Sequence, residues 1–100
     1  MQDLSIEVGR VVHSKAGRDK GRFFVINGII DETYVYVVDG ELRKLAKPKK
    51  KKVKHLELKP EVLTGIKEKI ETGKKVFDAE IKKAIKNTRY FDGEKIGGGE

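Results

Sequence analysis

The 100-residue chain has no cysteine. Disulfides and thiolate-bound metal sites are therefore excluded, and the composition suits a reducing compartment. Its only histidines, His13 and His55, have no ligand-spaced partners, so the sequence predicts neither a metal site nor a cofactor. No apolar run approaches the roughly 20 residues that cross a bilayer. The opening MQDLSIEVGR lacks the basic and apolar regions of a secretory signal. The expectation is a soluble, cytoplasmic protein. There is also no phosphate-binding P-loop and no serine in a nucleophile setting. The acids of 57–80 alternate with lysines at helical spacing, as surface pairs do. Nothing in the chain predicts an enzyme or a small-molecule substrate.

What the chain has in excess is lysine. Twenty-three Lys and Arg stand against 16 Asp and Glu, a net charge of +7. The excess is local. Residues 1–42 carry five cations against seven acids, 43–55 carry eight against none, and 56–100 carry ten against nine. A polyanion meets a concentrated field at 43–55. The run comprises Arg43, Lys44, Lys47, Lys49, Lys50, Lys51, Lys52, Lys54 and His55. Six or so phosphate contacts there imply a log–log salt slope of about −4 to −5. Lysine dominates over arginine, which favours attraction to phosphate over bidentate base reading.

The length fits one domain with a thin core. Val8–His13, Arg22–Ile30 and Thr33–Val38 read as strands, the second buried on both sides with Gly28 as a bulge. In the third, Tyr34, Tyr36 and Val38 share one face, and Thr33, Val35 and Val37 the other. Asp39-Gly40 is a type I′ hairpin signal that makes Glu41–Ala46 a fourth strand. Val53–Leu58 supplies a short fifth. Such strands predict a small barrel. From Pro60 the pattern turns helical, with Val62, Leu63, Ile66 and Ile70 as a stripe and Gly73 as a left-handed cap. Asp78 reads as the N-cap of a second helix over 79–88, striped by Ile81, Ala84 and Ile85. The organisation expected is a barrel over 1–58 that includes the basic segment, a two-helix extension over 59–91, and a flexible glycine-rich tail over 92–100. The fold class is mainly β with α.

The piece EVGRVVHSKAGRDKGRFFVIN resembles a KOW motif, two strands joined by a basic glycine-containing loop. With Val38-Asp39-Gly40 added, it is similar to the KOW domain of the archaeal and eukaryotic large-subunit ribosomal protein of the fourteen-e type. The likeness covers about a third of the chain. It implies an SH3-like barrel that binds RNA, most plausibly ribosomal RNA, in company with ribosomal proteins. The residues agree with it. Lys15, Arg18, Lys20 and Arg22 lie in or beside the loop, with Arg10 a further candidate on the strand before it, and Gly17 and Gly21 allow backbone N–H groups near phosphate oxygens.

Each feature has a plainer account. Taken without the resemblance, the loop reads as a hairpin connection with solvated cations, and the run as a flexible loop; the resemblance favours RNA contact. PKKKKVK also resembles a nuclear localisation signal, and a polybasic membrane patch lacks any lipid anchor to support it. Phe23, Phe24, Tyr34 and Tyr36 suit a core before a base-stacking surface. The rival function is an SH3-like protein-interaction module of the transcription or translation machinery. A helix-turn-helix over 61–88 has only Lys82, Lys83 and Lys86 to offer a groove.

Overall fold

The computed structural model describes residues 4–88 and Tyr90; the 92–100 tail lies outside the described residues. Five antiparallel strands, β1 (Arg10–Ser14), β2 (Phe23–Ile29), β3 (Tyr34–Val38), β4 (Lys49–Lys52) and β5 (Leu56–Val62), form one sheet in the order β4-β3-β2-β1-β5. Two helices follow, α1 (Thr64–Glu71) and α2 (Asp78–Lys86). The mainly-β fold with two C-terminal helices is as the sequence predicted.

The alternation of side chains along a strand divides the apolar residues between two faces. Phe24 and Ile26 of β2 join Val12, Val35, Val37 and Leu56 in one buried cluster. Val25 of β2 and Val38 of β3 point the other way and pack with Ile66 of α1 and with Ile81 and Ile85 of α2. β2 is therefore buried on both sides, which is why its sequence is a nearly continuous apolar run. The helices are a covering layer over one face. Truncating Phe24, which is fully buried, to alanine is expected to cost about 3 to 5 kcal/mol. The expected bulge lies between Ile26 and Gly28, where the β2–β3 register shifts.

The sheet does not close. β4 and β5 are its edges, and no ladder joins them among the described residues. A single 3₁₀ turn, Val53–His55, links them along the chain. Yet the Lys51 ammonium of β4 reaches Ser14 of β1, three places away in the strand order, so the sheet is strongly curled. Both edges are blunted by chemistry: β4 is four lysines, and β5 contains Pro60, which has no N–H for a further strand.

Four local expectations are corrected. Asp39-Gly40 is not a type I′ turn, because only Gly40 has positive φ, at 78°. The Asp39 carboxylate instead accepts from the N–H groups of Glu41 and Arg43, and both Asp39 and Gly40 donate to the Arg43 carbonyl. Consequently Glu41–Ala46 is a turn segment, and the fourth strand is Lys49–Lys52. Pro60 is inside β5, which crosses the expected boundary at 59 and delays α1 to Thr64. Asp78 does not cap α2. Phe77 holds that place, its N–H donating to the Glu80 carboxylate, while Asp78 accepts from the N–H of Leu45 at 2.7 Å.

Gly40 shows why the turn and α2 form one unit. A Cβ there would lie 2.2 Å from the Asp78 carbonyl oxygen, so any side chain would push α2 off the end of β3. Gly73 closes α1 as expected, in a Schellman arrangement with Lys74 N–H bonded to Lys69 O and Gly73 N–H to Ile70 O.

Candidate nucleic-acid interface

The loop from Lys15 to Arg22 is a set of tight turns. Gly21 N–H donates to Ser14 O, Lys20 N–H to Gly17 O, and Arg22 N–H to Asp19 O. Gly17 and Gly21 take φ of 83° and 92°, a region that glycine enters without strain. The expectation that backbone N–H groups reach phosphate is thereby corrected at Gly21, whose N–H is already committed to Ser14. The turns leave Lys15, Arg18 and Lys20 exposed and tuck Asp19 inward, 2% exposed.

Asp19 is the anchor of the loop. Its Oδ2 accepts from Nε and Nη2 of Arg43, at 3.2 and 3.0 Å, across 24 residues of sequence. A second link runs beside it. Lys51 Nζ donates to Ser14 Oγ and to Ala16 O, both at 3.1 Å. Burial lowers the Lys51 pKa, and the neighbouring cations Lys49 and Arg43 add to the effect against the attraction of Asp19. Both ties join the loop to the basic segment that follows β3, so two stretches far apart in sequence make one surface.

The basic segment is a strand because β3 supplies its ladder. Tyr34 pairs with Lys52, Val35 with Lys51, Tyr36 with Lys50 and Val37 with Lys49. The alternation sends Lys51 inward opposite Val35, and sets Lys50 beside Tyr34 and Tyr36. Lys50 Nζ lies 4.5 Å from the Tyr34 ring centroid, a cation–π contact. Tyr34 is half-buried and Tyr36 is exposed, whereas Phe24 is core.

The structure sorts the candidate residues into three groups. Lys15, Arg18, Lys20, Lys44, Lys47, Lys49, Lys50 and Lys54 are exposed, and Lys52 is half-buried. Arg22, Arg43 and Lys51 sit at the same place but hold it together: Arg22 Nη2 is 2.9 Å from Asp39 Oδ2, and the other two bind as above. Burial raises the Asp39 pKa, but the hydrogen bonds from Arg43, Glu41 and Arg22 outweigh it and leave the carboxyl below its ordinary value. Arg10 is elsewhere. It is 5% exposed, and all five of its donors are used, on Ser5 O, Ser5 Oγ, Glu7 Oε2, Lys59 O and Pro60 O. It has no donor left for phosphate and joins the start of β1 to β5.

Sequence reasoning missed Asp19 and Ser14, whose partners are visible only in three dimensions. It also set Lys82 and Lys86 aside as groove readers. On α2 they border the end of the loop, around a cleft of about 410 Å³ that also takes in Arg22 and Phe23. Their i,i+4 spacing was legible, but the direction of that helical face was not. Among the described residues no group of three or more His, Cys, Asp or Glu side chains is placed to hold a metal ion, and no helix is long and apolar enough to cross a membrane.

No family model matches the chain. Individual relatives do. The chain is 33% identical over 88 residues to large ribosomal subunit protein eL14 of Hyperthermus butylicus, covering 88% of this chain and 83% of that protein. It is 34% identical over 83 residues to eL14 of Staphylothermus marinus, covering 83% and 79%. The similarity extends well beyond the glycine loop, into the lysine strand and the helices. Identity at this level over most of both chains places the chain in the eL14 family of large ribosomal subunit proteins.

Proposed function

We propose that this protein is a non-enzymatic component of the large ribosomal subunit that holds structured ribosomal RNA through phosphate contacts. The observation that carries the reading is the joining of the two basic segments: Asp19–Arg43 and Lys51–Ser14 fasten the glycine loop to the lysine strand. The exposed ammonium and guanidinium groups of Lys15, Arg18, Lys20, Lys44, Lys47, Lys49, Lys50 and Lys54 then present one cationic rim, with Lys52 at its border. The rim's rigidity matters, since cations held before binding lose less freedom on meeting the RNA. Affinity comes mainly from phosphate and carries little base specificity. The relatives' name supports the partner, and the net charge of +7 supports its sign.

A protein neighbour within the same particle is a further partner. Leu42 and Phe77 are 55% and 59% exposed near the α2 start, and Ile29 and Ile30 are exposed at the tip of the β2–β3 hairpin. These apolar groups suit a protein surface better than a phosphate backbone.

The test is sedimentation of a cell lysate through a density gradient, with and without ribonuclease and at rising salt, following the protein by antibody. The expected result is co-migration with the large subunit that is lost to ribonuclease and to high salt. Persistence in a ribonuclease-resistant, salt-resistant complex would transfer the function to the apolar protein contact.

A further inference from the structure

The cleft between the end of the glycine loop and α2 is absent from any reading of the linear sequence, and its lining is chemically mixed. Arg22 from the loop and Lys82 and Lys86 from α2 line it together with apolar Ile85 and Phe23, the Phe23 ring being stacked on Tyr90 at 4.9 Å and 4.5 Å from His13. Glu41 lies between the cations but holds neither closely: its carboxylate oxygens are 3.9 Å from Arg22 Nη2 and 3.8 Å from Lys82 Nζ. Asp39, the other acid, has both oxygens engaged within the chain. Arg22 Nε is shielded from water and has no acceptor, an unsatisfied donor that an entering acceptor relieves. Gly21 at the mouth has nothing within 4 Å of where its Cβ would be, so backbone can approach there.

We propose that this cleft receives one unpaired nucleotide of the bound RNA. The inference rests on the RNA-binding reading above and extends it from the rim to a defined subsite. Its volume of about 410 Å³ is within the roughly 300–1,000 Å³ of small-ligand sites. Lys82 and Lys86, one helical turn apart, meet the phosphate, and Arg22 turns Nε toward it. Ile85 and the part of Phe23 left open by its ring contacts with Tyr90 and His13 line the apolar side of the base, and Glu41 accepts from a base amino group. Unpaired bases in loops and bulges are the part of an RNA that can be splayed out in this way. α2 thereby gains a role beyond covering the sheet, because it supplies two of the three cations.

The experiment uses the full chain and deproteinised large-subunit ribosomal RNA. Ultraviolet crosslinking followed by peptide mass spectrometry is expected to find nucleotide adducts on peptides that contain Phe23 and residues 82–86. Lys82→Gln combined with Lys86→Gln is expected to weaken binding about tenfold and to lower the salt slope by about one to two. The double Lys→Arg variant should bind like the parent, and circular dichroism should show the same melting for all three. Adducts confined to 15–20 and 44–54, with the Gln variant binding normally, would overturn the cleft and leave the rim intact. A parent protein that retains no RNA would overturn both, and is recognised without any variant.

Discussion

The glycine loop and β4 are both basic, yet they are built on opposite plans. In the loop the buried anchor is an acid, Asp19, and the cations around it are exposed. In β4 the buried anchor is a cation, Lys51, and the lysines on either side of it in the sequence are the outward ones. The two plans are complementary. Asp19 takes Arg43 from the segment leading into β4, and Lys51 takes Ser14 and Ala16 from the start of the loop. Counting charge along a sequence therefore overstates what a partner meets. Arg10, Arg43 and Lys51 are used inside the molecule to hold the others in place, and Arg22 spends one end of its guanidinium on Asp39.

The sharpest way to separate internal from external cations is to remove one of each kind. Arg10→Ala leaves the carbonyls of Ser5, Lys59 and Pro60 without this donor, while the Glu7 carboxylate keeps Lys67 and Ser5. Loss of about 3 to 5 kcal/mol is expected, from the packing of a buried side chain and three carbonyl hydrogen bonds left unmade. That corresponds to a fall in melting temperature of roughly 12 °C or more. The salt slope of RNA binding by the folded fraction should not change. A changed slope with normal melting would return Arg10 to the RNA surface.

Breaking the link between the two plans should have the next largest effect. Asp19→Ala leaves Arg43, 29% exposed, and the neighbouring Lys51 without a carboxylate. A cost of about 2 kcal/mol is expected, reduced from the fully buried case because Arg43 regains some water. Urea denaturation measures it. RNA affinity should also fall although a negative charge has been removed, because the loop is no longer held against β4. A gain in affinity would show that net charge, not the fixed geometry, controls binding.

Exposed cations should show the reverse pattern. Arg18→Ala with Lys20→Ala in the loop, and Lys49→Gln with Lys50→Gln in β4, should each reduce the salt slope by about one for every phosphate left without its cation. Melting should change by less than about 0.5 kcal/mol. Equal reductions from the two pairs would confirm a shared rim, and a reduction from only one would confine RNA binding to that segment.

How much of this was legible follows from where the information lies. From Val8 to Val38 the strands, the glycine loop and the Gly28 bulge could be read, because alternation and glycine placement are local signals. After Gly40 local signals misled. Four consecutive lysines have neither alternation nor β propensity, and they form a strand only because β3 offers its edge, a tertiary effect that overrides propensity. Pro60 suits a helix start and an edge strand equally well, and pairing of β5 with β1 decided between them. The rim was partly legible. Its cations were all visible in the sequence, but which of them would be tied down depended on Asp19, Ser14 and Asp39, whose contacts with Arg43, Lys51 and Arg22 cross 24, 37 and 17 residues.

The smallest expected effect tests the acid side of the same scaffold. Asp39 has its carboxyl held below the ordinary value of 3.8. Burial opposes ionisation, but donation from the Arg43 and Glu41 N–H groups and from Arg22 prevails. A group whose folded pKa is depressed contributes stability above its unfolded value and loses it as pH falls through the folded one. The contribution of Asp39 should therefore be complete at neutral pH and fade from about pH 4 downward. Asp39→Asn removes the charge while keeping the shape, so its stability should be lower than the parent's at pH 7, and the two should converge toward pH 3. Urea midpoints at pH 7, 5, 4 and 3 measure the gap. A gap that stays constant down to pH 3 would mean that the turn depends on the hydrogen-bonding shape of residue 39 and not on its charge. The Arg22–Asp39 pair at the mouth of the cleft would then be a spectator, and Arg22 would be wholly available to RNA.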